Sequence, residues 1–212
     1  MFPSIMGDRL AENRFVLRTD VKSFYASIEH ELLMDRLAAH IADRRVLNLL
    51  NQYMRRTAER GGWFWDHERG ISLGCPLSPL MGAFFLTELD ERFAGRGLFY
   101  VRFMDDILVL APTRWQLRRA VKAVNEVLGS LRLEKHPDKT FIGRIEKGFD
   151  FLGFHFSEDG LTVARPSIRK FVERAARLYE QEREERSGPS RLGRYIRRWV
   201  GWAGVSRMAV GD

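Results

Sequence analysis

Cysteine, long apolar runs and low-complexity tracts are all scarce or missing in this sequence. Cys75 is the only cysteine among 212 residues, which excludes an internal disulfide and a cysteine-rich zinc site and suits a reducing interior. No apolar run approaches the roughly 20 residues needed to span a bilayer. The N-terminus also lacks the basic-then-apolar pattern of a signal peptide. We therefore predict a cytoplasmic protein without a membrane partner.

The composition is that of an ordinary globular protein with an excess of basic residues. Hydrophobic residues make up 45% and charged residues 30%, and the length suits one domain or one domain with an appendage. The net charge of +7 favours an anionic partner such as nucleic acid, although charge alone does not identify one.

An adjacent acid pair lies between two short apolar runs. Asp105 and Asp106 are flanked by Leu98–Val101 and Ile107–Ala111, each short enough to be a buried strand. The pattern predicts a hairpin with two carboxylates at its tip. Because buried charges are normally paired or metal-bound, a divalent metal would explain both acids. A turn whose acids simply face solvent is the alternative.

A third acid closes the first predicted strand. Residues 14–20 alternate between two faces, and Asp20 ends the strand on the face that also carries Arg18. Helices are then predicted over residues 29–40 and 44–59, with a break at Gly61–Gly62.

A loop and a helix precede the acid pair. Residues 72–80 are predicted to form the loop, because glycine and proline restrict its backbone. Ser78 followed by Pro79 is a favourable helix start, and this helix is predicted to run to about Phe93.

Further elements are predicted after the hairpin. Residues 114–131 show an amphipathic pattern, in which Arg114, Arg118 and Lys122 lie away from the core stripe on a surface most simply read as solvated. Residues 132–134 could form a short strand. Residues 149–156 are predicted to be a strand broken at Gly153.

The C-terminal region is a long basic helical stretch. From residue 165 to residue 198 there are eleven Arg or Lys and five Glu, a net charge of +6, with an interruption at residues 187–190. In the last helix an apolar stripe follows helical spacing: Leu192, Tyr195, Trp199 and Trp202. Arginines recur on another face: Arg191, Arg194 and Arg198. A helix packed on one side and contacting phosphate on the other has this layout, and a solvated helix is the alternative.

These elements predict an α+β fold. An antiparallel sheet carries helices on one face, and a separate helical region follows it at the C-terminus. Asp20 and the hairpin acids can converge in such a sheet. Three carboxylates suit two hard divalent cations, which support phosphoryl transfer in nucleases and in polymerases.

Five motifs occur in an order that is specific even though no single motif is. They are Asp20-Val-Lys-Ser-Phe-Tyr25, Gly74-Cys-Pro-Leu-Ser-Pro79, Phe103-Met-Asp-Asp106, Lys139-Thr140 and Phe151-Leu-Gly-Phe154. Together they closely resemble the successive palm motifs of bacterial reverse transcriptases of the group II intron and retron-like kind. The resemblance implies a polymerase palm over residues 1–156, with a minimal fingers remnant, and a basic thumb-like region over residues 157–212.

The resemblance implies a two-metal nucleotidyl transfer to a primer 3′-hydroxyl. Asp20, Asp105 and Asp106 would be catalytic and, with Val21, would hold two Mg²⁺ ions or Mn²⁺ as a substitute. Lys139 would protonate the leaving pyrophosphate, with an ordinary surface lysine as the alternative.

Binding roles follow from the same resemblance. Tyr25 would exclude a 2′-hydroxyl, and Gly74, Ser78 and Pro79 would shape the loop beneath template and nascent pair. Phe151, Leu152, Gly153 and Phe154 would grip the primer end. The expected partners are an RNA template, a DNA primer and deoxynucleoside triphosphates.

The chain departs from the family pattern in several places. Phe103, Leu73 and Ala83 stand where relatives usually carry Tyr, Gln and often Asn, which puts some nucleotide or template contacts in doubt. Only 13 residues precede Arg14, so most of the fingers region is expected to be missing. The alternatives are an N-terminally truncated enzyme or a palm that needs a partner chain supplying the fingers.

Two other functions are compatible with the residues. A catalytically inactive remnant could bind nucleic acid through the basic helices, in a manner that depends steeply on salt. A metal-dependent nuclease could use the same acids, but the loop at Gly74–Pro79 and Tyr25 would then have no evident task.

Overall fold

The structure, a computed structural model, describes residues 9–55, 57–157, 160–184 and 190–208. The main helices are α1 (Phe24–Ser27), α2 (His30–Ala38), α3 (Arg44–Met54), α4 (Leu77–Phe85), α5 (Thr87–Phe93), α6 (Arg114–Ser130), α7 (Arg165–Glu184) and α8 (Arg191–Met208). The strands are β1 (Phe15–Asp20), β2 (Thr57–Arg60), β3 (Trp63–Asp66), β4 (Phe99–Phe103), β5 (Asp106–Ala111), β6 (Phe141–Arg144), β7 (Phe149–Phe151), β8 (Phe154–Ser157) and β9 (Gly160–Val163). Short 3₁₀ turns cover Pro137–Lys139 and Ile145–Lys147.

The predicted α+β class is confirmed, since helices alternate with antiparallel strands along the chain. The predicted first strand is present as β1, and the predicted hairpin is present as β4 and β5. In the central sheet β4, β5 and β1 are adjacent in that order. From Ile107 to Ala111 every residue of β5 has no exposed surface, as expected of an inner strand covered on both faces.

The chain divides into two compact units. One comprises residues 1–16, 110–114 and 141–212, and the other comprises residues 17–109 and 115–140. The expected boundary between palm and thumb at residue 156 stays a prediction.

The larger unit contains the acid-bearing hairpin and most of the core. Its helix α6 buries one stripe, as the amphipathic pattern predicts, and exposes the opposite one; the buried residues are Leu117, Ala120, Ala123, Val124, Val127 and Leu128. Helix α4 buries Met81 and Phe85, and Gly82 is buried with them.

The smaller unit contains an antiparallel three-stranded sheet, β7-β8-β9, in which Phe149 pairs with Phe156 and Phe154 pairs with Val163. This matches the broken strand predicted at residues 149–156. Helices α7 and α8 pack through aromatic rings, with the Phe171 and Trp199 centroids 4.1 Å apart. Most of the interruption predicted at residues 187–190 lies outside the described residues. Among the described helices, none combines the length and apolarity needed to cross a membrane.

Three boundary predictions were wrong. The helix predicted over residues 44–59 ends at Met54, and Thr57–Arg60 instead pairs with Trp63–Asp66 as a hairpin. Gly61 and Gly62 close this hairpin with φ of 64° and 83°, values that favour glycine.

The helix predicted from Ser78 to Phe93 is two helices, α4 and α5. It begins two residues before Pro79, the predicted first helical residue, and breaks at Leu86, whose φ of −96° and ψ of 7° are not helical. Residues 132–134 form no strand, because Arg132 takes a left-handed φ of 54° and turns the chain. Only an isolated bridge from Val21 to Lys135 follows this turn in the described part of that segment.

Candidate functional site

Asp20 lies at the end of β1, where the strand leaves the core. Its residue is 7% exposed, and the Lys139 Nζ donates to Asp20 Oδ2 at 2.9 Å. The backbone is also fixed, because the His136 N–H donates to the Asp20 carbonyl at 2.7 Å. The local fold therefore presents a buried carboxylate whose charge is balanced by one lysine.

The hairpin tip meets the end of the same strand. Met104 turns the chain between β4 and β5 with a left-handed φ of 56°. The Val21 N–H then donates to the Asp105 carbonyl at 3.3 Å. This hydrogen bond joins chain segments 84 positions apart, and it brings the two acids of the tip to the acid of β1.

The two tip carboxyls share an environment that disfavours their charged forms. Burial raises the pKa of Asp105, and the negative charge of Asp20 raises it further. Burial likewise raises the pKa of Asp106, with Asp20 adding to the effect and the Arg18 guanidinium opposing it. Clustered, partly buried carboxylates have lost part of their hydration, so a cation that coordinates them is strongly attracted.

Arg18 is a member of this cluster that the sequence reasoning did not assign. Its Nη2 lies 3.9 Å from Asp106 Oδ1, and its Nη1 donates to the Lys139 carbonyl at 3.0 Å. The signal was available: Arg18 precedes Asp20 by two positions, so strand alternation places both on one face. A long cation on the face of a buried acid is a candidate partner for that acid or its neighbours.

Lys139 is held by the turn that carries it. The 3₁₀ turn Pro137–Lys139 is followed by Thr140, whose hydroxyl lies 2.7 Å from the Thr19 hydroxyl on β1. The Thr140 hydroxyl also donates to the His136 carbonyl at 2.8 Å. Half of the Lys139 side chain remains exposed, so it can leave Asp20 without opening the core.

Tyr25, in the short helix α1, lies beside the hairpin tip. Its hydroxyl donates to Met104 Sδ at 3.6 Å. Burial raises the pKa of the phenol, and the charge of Asp105 adds to this shift. The tyrosine thus borders the acid cluster, and its role in excluding a 2′-hydroxyl stays a prediction.

The loop before α4 is fixed by hydrogen bonds of the buried Ser78. Gly74 is exposed and has a left-handed φ of 83°. Ser78 is 2% exposed; its hydroxyl donates to the Ser72 carbonyl and lies 2.6 Å from the Tyr53 hydroxyl. Ser78 therefore supports the loop from inside, and Pro79 continues into α4 beside it. This leaves backbone rather than the serine hydroxyl as the contact surface of the loop.

The predicted primer grip forms a tight turn within the smaller unit. Leu152 and Gly153 have left-handed φ values of 49° and 87°, while Phe151 and Phe154 are buried on either side. The Gly153 carbonyl accepts from the Ala164 N–H and from the Ser167 hydroxyl, both at 3.0 Å. A Cβ at position 153 would lie 3.0 Å from the Trp202 ring, so this glycine is also required by packing.

The arginines predicted to contact phosphate are on α8. Arg191, Arg194 and Arg198 are exposed, whereas Tyr195 and Trp199 face Phe171. The predicted division of this helix into an apolar and a basic face is therefore present. Phosphate contact itself stays a prediction.

The donor chemistry of the acid cluster fits a hard divalent cation. All the candidate side-chain ligands are carboxylates, and burial together with the nearby charge of Asp20 raises the pKa of both Asp105 and Asp106. Within the described residues, no three His, Cys, Asp or Glu side chains form a ready-made cage for an ion. Asp20 and Asp106 are instead directed at Lys139 and Arg18. Cation binding at Asp20 would thus require Lys139 to leave this carboxylate.

Comparison with known proteins places the chain among nucleic-acid polymerases. A family model described as reverse transcriptase (RNA-dependent DNA polymerase) matches residues 4–156. Protein YkfC of Escherichia coli strain K12 is 27% identical, over 66% of this chain and 46% of the relative. The chain thus spans less than half the length of that curated relative.

Solved structures show the same fold at low identity. The telomerase of Candida albicans, in complex with a fragment of telomeric RNA, matches 77% of this chain and 32% of its own with a TM-score of 0.61 and 16% identity. An apo telomerase of Candida tropicalis truncated from its C-terminal domain matches 75% of this chain and 38% of its own, with a TM-score of 0.59 and 14% identity. At these identities the similarity shows the fold alone.

Proposed function

Because the chain belongs to the reverse transcriptase family, as the match over residues 4–156 shows, we propose that it is an RNA-directed DNA polymerase. The reaction would be template-directed nucleotidyl transfer to a primer 3′-hydroxyl. The observation that carries this proposal is the hydrogen bond from the Val21 N–H to the Asp105 carbonyl, which brings the acid of β1 and the acid pair of the hairpin to one place.

Asp20, Asp105 and Asp106, with the Val21 carbonyl, would hold two Mg²⁺ ions or Mn²⁺ in their stead. Bound there, the ions would acidify the primer hydroxyl and neutralise charge on the triphosphate. The protein's own charges support this assignment: three carboxylates face two cations, Lys139 and Arg18, so among the described residues one negative charge on the cluster is left without a partner. Burial raises the pKa values of Asp105 and Asp106, and the negative charge of Asp20 adds to this shift.

Lys139 and Arg18 would then have separate tasks. The Lys139 ammonium, half exposed, would leave Asp20 and give a proton to the departing pyrophosphate. Arg18 is less exposed and also holds the Lys139 carbonyl, so it would stay in place and orient both Asp106 and the lysine-bearing turn.

Tyr25 would select the sugar of the incoming nucleotide. Its hydroxyl donates to the Met104 sulfur and feels the charge of Asp105, and a rigid aromatic ring is suited to exclude an extra hydroxyl. The Gly74–Pro79 loop would support the nascent pair through backbone, since the Ser78 hydroxyl is engaged inside.

The partners would be an RNA template, a DNA primer and deoxynucleoside triphosphates. The turn at Phe151–Phe154 would support the primer end, and Arg191, Arg194 and Arg198 would contact the phosphate backbone. The proposal also includes a group II intron or retron-like origin and a cytoplasmic location.

Primer extension tests the proposal. The purified chain is given poly(rA)/oligo(dT), dTTP and Mg²⁺, next to a variant with Asp105→Ala and Asp106→Ala. We expect incorporation by the parent chain and loss of at least about 10³-fold in the variant, because the acids act as a unit. Equal incorporation by both proteins would refute the site assignment.

A binding measurement separates the site from the activity. Mn²⁺ binding is followed by electron paramagnetic resonance, without nucleic acid, for the parent chain and for Asp20→Asn. Binding that disappears in the variant supports the metal site even if the isolated chain does not extend primers. Binding that is equal in both proteins contradicts it.

A further inference from the structure

The outward stripe of α6 has a composition unlike that of a merely solvated helix. Trp115, Arg118, Arg119, Lys122 and Glu126 follow each other at three- and four-residue spacing, so they lie on one face of the helix. This face is opposite the buried stripe of Leu117 and its neighbours. None of these residues belongs to the proposed polymerase site.

Trp115 is the most unusual member of the stripe. It is 73% exposed, and the Arg118 guanidinium lies 5.4 Å from the centre of its ring. Large aromatic side chains are usually buried, and an exposed one contributes little to the fold. An open indole beside a guanidinium offers two flat surfaces on which a planar group can stack.

The charge around Trp115 is positive and only partly compensated. Glu126 pairs with Arg92 at 2.6 Å and with Lys122 at 3.7 Å. In the part of the chain that the structure describes, no ion pair within 4 Å involves Arg96, Arg118 or Arg119. These three guanidiniums are therefore available to an anion.

A recess adjoins the stripe on its α5 side. It measures about 370 Å³ and is lined by Phe93, Arg96, Leu98, Gln116, Arg119 and Ala120. Its lining combines the apolar side chains of Phe93, Leu98 and Ala120 with two cationic arginines, which suits a flat heterocycle attached to a phosphate. The recess lies next to Trp115 on α6, because Gln116 and Arg119 line the recess and are neighbours of Trp115 on the helix.

We propose that this surface, defined by Trp115, Arg118, Arg119, Lys122 and Arg96, binds single-stranded nucleic acid. One base would stack on Trp115, a neighbouring base would enter the recess, and the arginines would contact the phosphates between them. From Trp115 to Lys122 the helix rises roughly 10 Å, a length that suits two or three nucleotides.

The features favour a single strand over other anions. The indole face can stack only on a base that is not already paired, which excludes a regular duplex as the ligand. An acidic peptide would satisfy the arginines but would leave the exposed indole and the apolar recess without a matching group. RNA and DNA share the required chemistry, so the experiment includes both.

Photocrosslinking and affinity measurements on the full chain test the proposal. Eight-nucleotide single strands, one RNA and one DNA, carry a single 5-iodouracil and a fluorophore, and EDTA is present throughout, so the result does not depend on polymerase activity. We expect the crosslink at Trp115 or at a residue of the recess. Whichever strand binds more tightly identifies the source of the ligand.

Variants assign the affinity to individual groups. Trp115→Ala should weaken binding about tenfold, the loss of one stacked base, and Trp115→Phe should recover most of that loss. The double variant Arg118→Ala, Arg119→Ala should lower the slope of log affinity against log salt by about 1.4, because two phosphate contacts are lost.

Matched controls exclude a general effect of charge or exposed tryptophan. Trp63 is 79% exposed, and Arg44 and Arg45 are exposed on α3, so Trp63→Ala and the double variant Arg44→Ala, Arg45→Ala repeat the same changes elsewhere. These controls should bind within about twofold of the parent chain, a difference of less than about 0.5 kcal/mol. Unchanged affinity in Trp115→Ala, an equal loss in the controls, or the absence of any crosslink to this surface would overturn the proposal.

Discussion

Gly82 is expected to determine where the Tyr25 ring lies. A Cβ built at Gly82 in α4 would be 2.9 Å from Phe24 Cε1 and 3.1 Å from Tyr25 Cε1. Carbon atoms pack best at about 3.5–4.0 Å, so Gly82→Ala requires a shift of roughly half an ångström or more. Phe24 is 2% exposed and fixed in the core, whereas Tyr25 is only partly buried. Both rings would have to yield, and Tyr25, which is less buried, has more room to move.

Two opposing effects set the stability of the Gly82→Ala variant. Overpacking a filled site costs about 1–3 kcal/mol. Replacing glycine by alanine within a helix returns about 1 kcal/mol. We expect a net loss of roughly 0–2 kcal/mol in the free energy of unfolding, measured by urea denaturation. Gly129→Ala in α6, where a Cβ would meet no atom within 4 Å, is the control and should gain stability.

The functional consequence of Gly82→Ala concerns the sugar. If Tyr25 excludes the 2′-hydroxyl, a displaced ring should change the ratio of kcat/KM for dTTP to that for UTP by about 5- to 20-fold, the equivalent of 1–1.8 kcal/mol. The assay is single-nucleotide incorporation on poly(rA)/oligo(dT). In a Tyr25→Ala background the same change at Gly82 should leave the ratio unaltered. A ratio that stays at the parent value in Gly82→Ala, while Tyr25→Ala alone shifts it, would refute the reasoning.

Three further predictions concern the charged groups of the larger unit. The pKa values of Asp105 and Asp106 are raised above 3.8 in the folded chain, so the protonated carboxyls stabilise the fold. This contribution to the free energy of unfolding is fully present below pH 3.8 and is lost as the pH rises through the pKa values of the folded chain. Changing both to Asn should therefore stabilise the metal-free chain more at pH 7 than at pH 4, as urea denaturation at the two pH values would show, and should abolish any Mg²⁺-dependent rise in Tm. Lys139→Met should lower the single-turnover rate of incorporation by about 10²-fold. It should also cost about 1–3 kcal/mol in urea denaturation, because the 7% exposed Asp20 loses its partner cation. An unchanged rate would make Lys139 an ordinary surface lysine. Arg102→Met should lower the free energy of unfolding by about 2–3 kcal/mol in urea denaturation. The Arg102 side chain is 9% exposed, pairs with Asp90 and donates to the Met104 carbonyl at 3.0 Å. A loss below about 0.5 kcal/mol would show that other contacts hold the hairpin tip.

Local sequence patterns predicted those helices and strands whose start and end depend only on residues within or next to the element. The strand ending at Asp20, the hairpin around Asp105 and the amphipathic helix α6 all appear within one or two residues of their predicted bounds. In each, a period of two or of 3.6 in the apolar positions coincides with residues that end the element. Such elements need no knowledge of what they pack against.

The errors arose where distant contacts decide the conformation. The apolar spacing of α3 continues toward residue 59, yet the helix ends at Met54 because the following residues pair across Gly61 and Gly62. Likewise Ser78 resembles a helix cap in sequence, but its hydroxyl is engaged by Tyr53 and by the Ser72 carbonyl. Both outcomes depend on residues outside the local window, so propensity alone could not have indicated them.

Which residues form the acid cluster is likewise decided by contacts between distant parts of the chain. Alternation along β1 makes Arg18 a neighbour of Asp20, but only the fold shows that it faces Asp106 and that Lys139 approaches from a turn more than a hundred positions away. Two cations opposite three carboxylates let the chain fold without a metal, and they leave a residual negative charge that a divalent cation would neutralise. A third basic residue in this cluster would remove that charge and with it the electrostatic reason for a cation to bind. The proposed enzyme therefore depends on incomplete compensation, a property that belongs to the three-dimensional cluster and to no single motif.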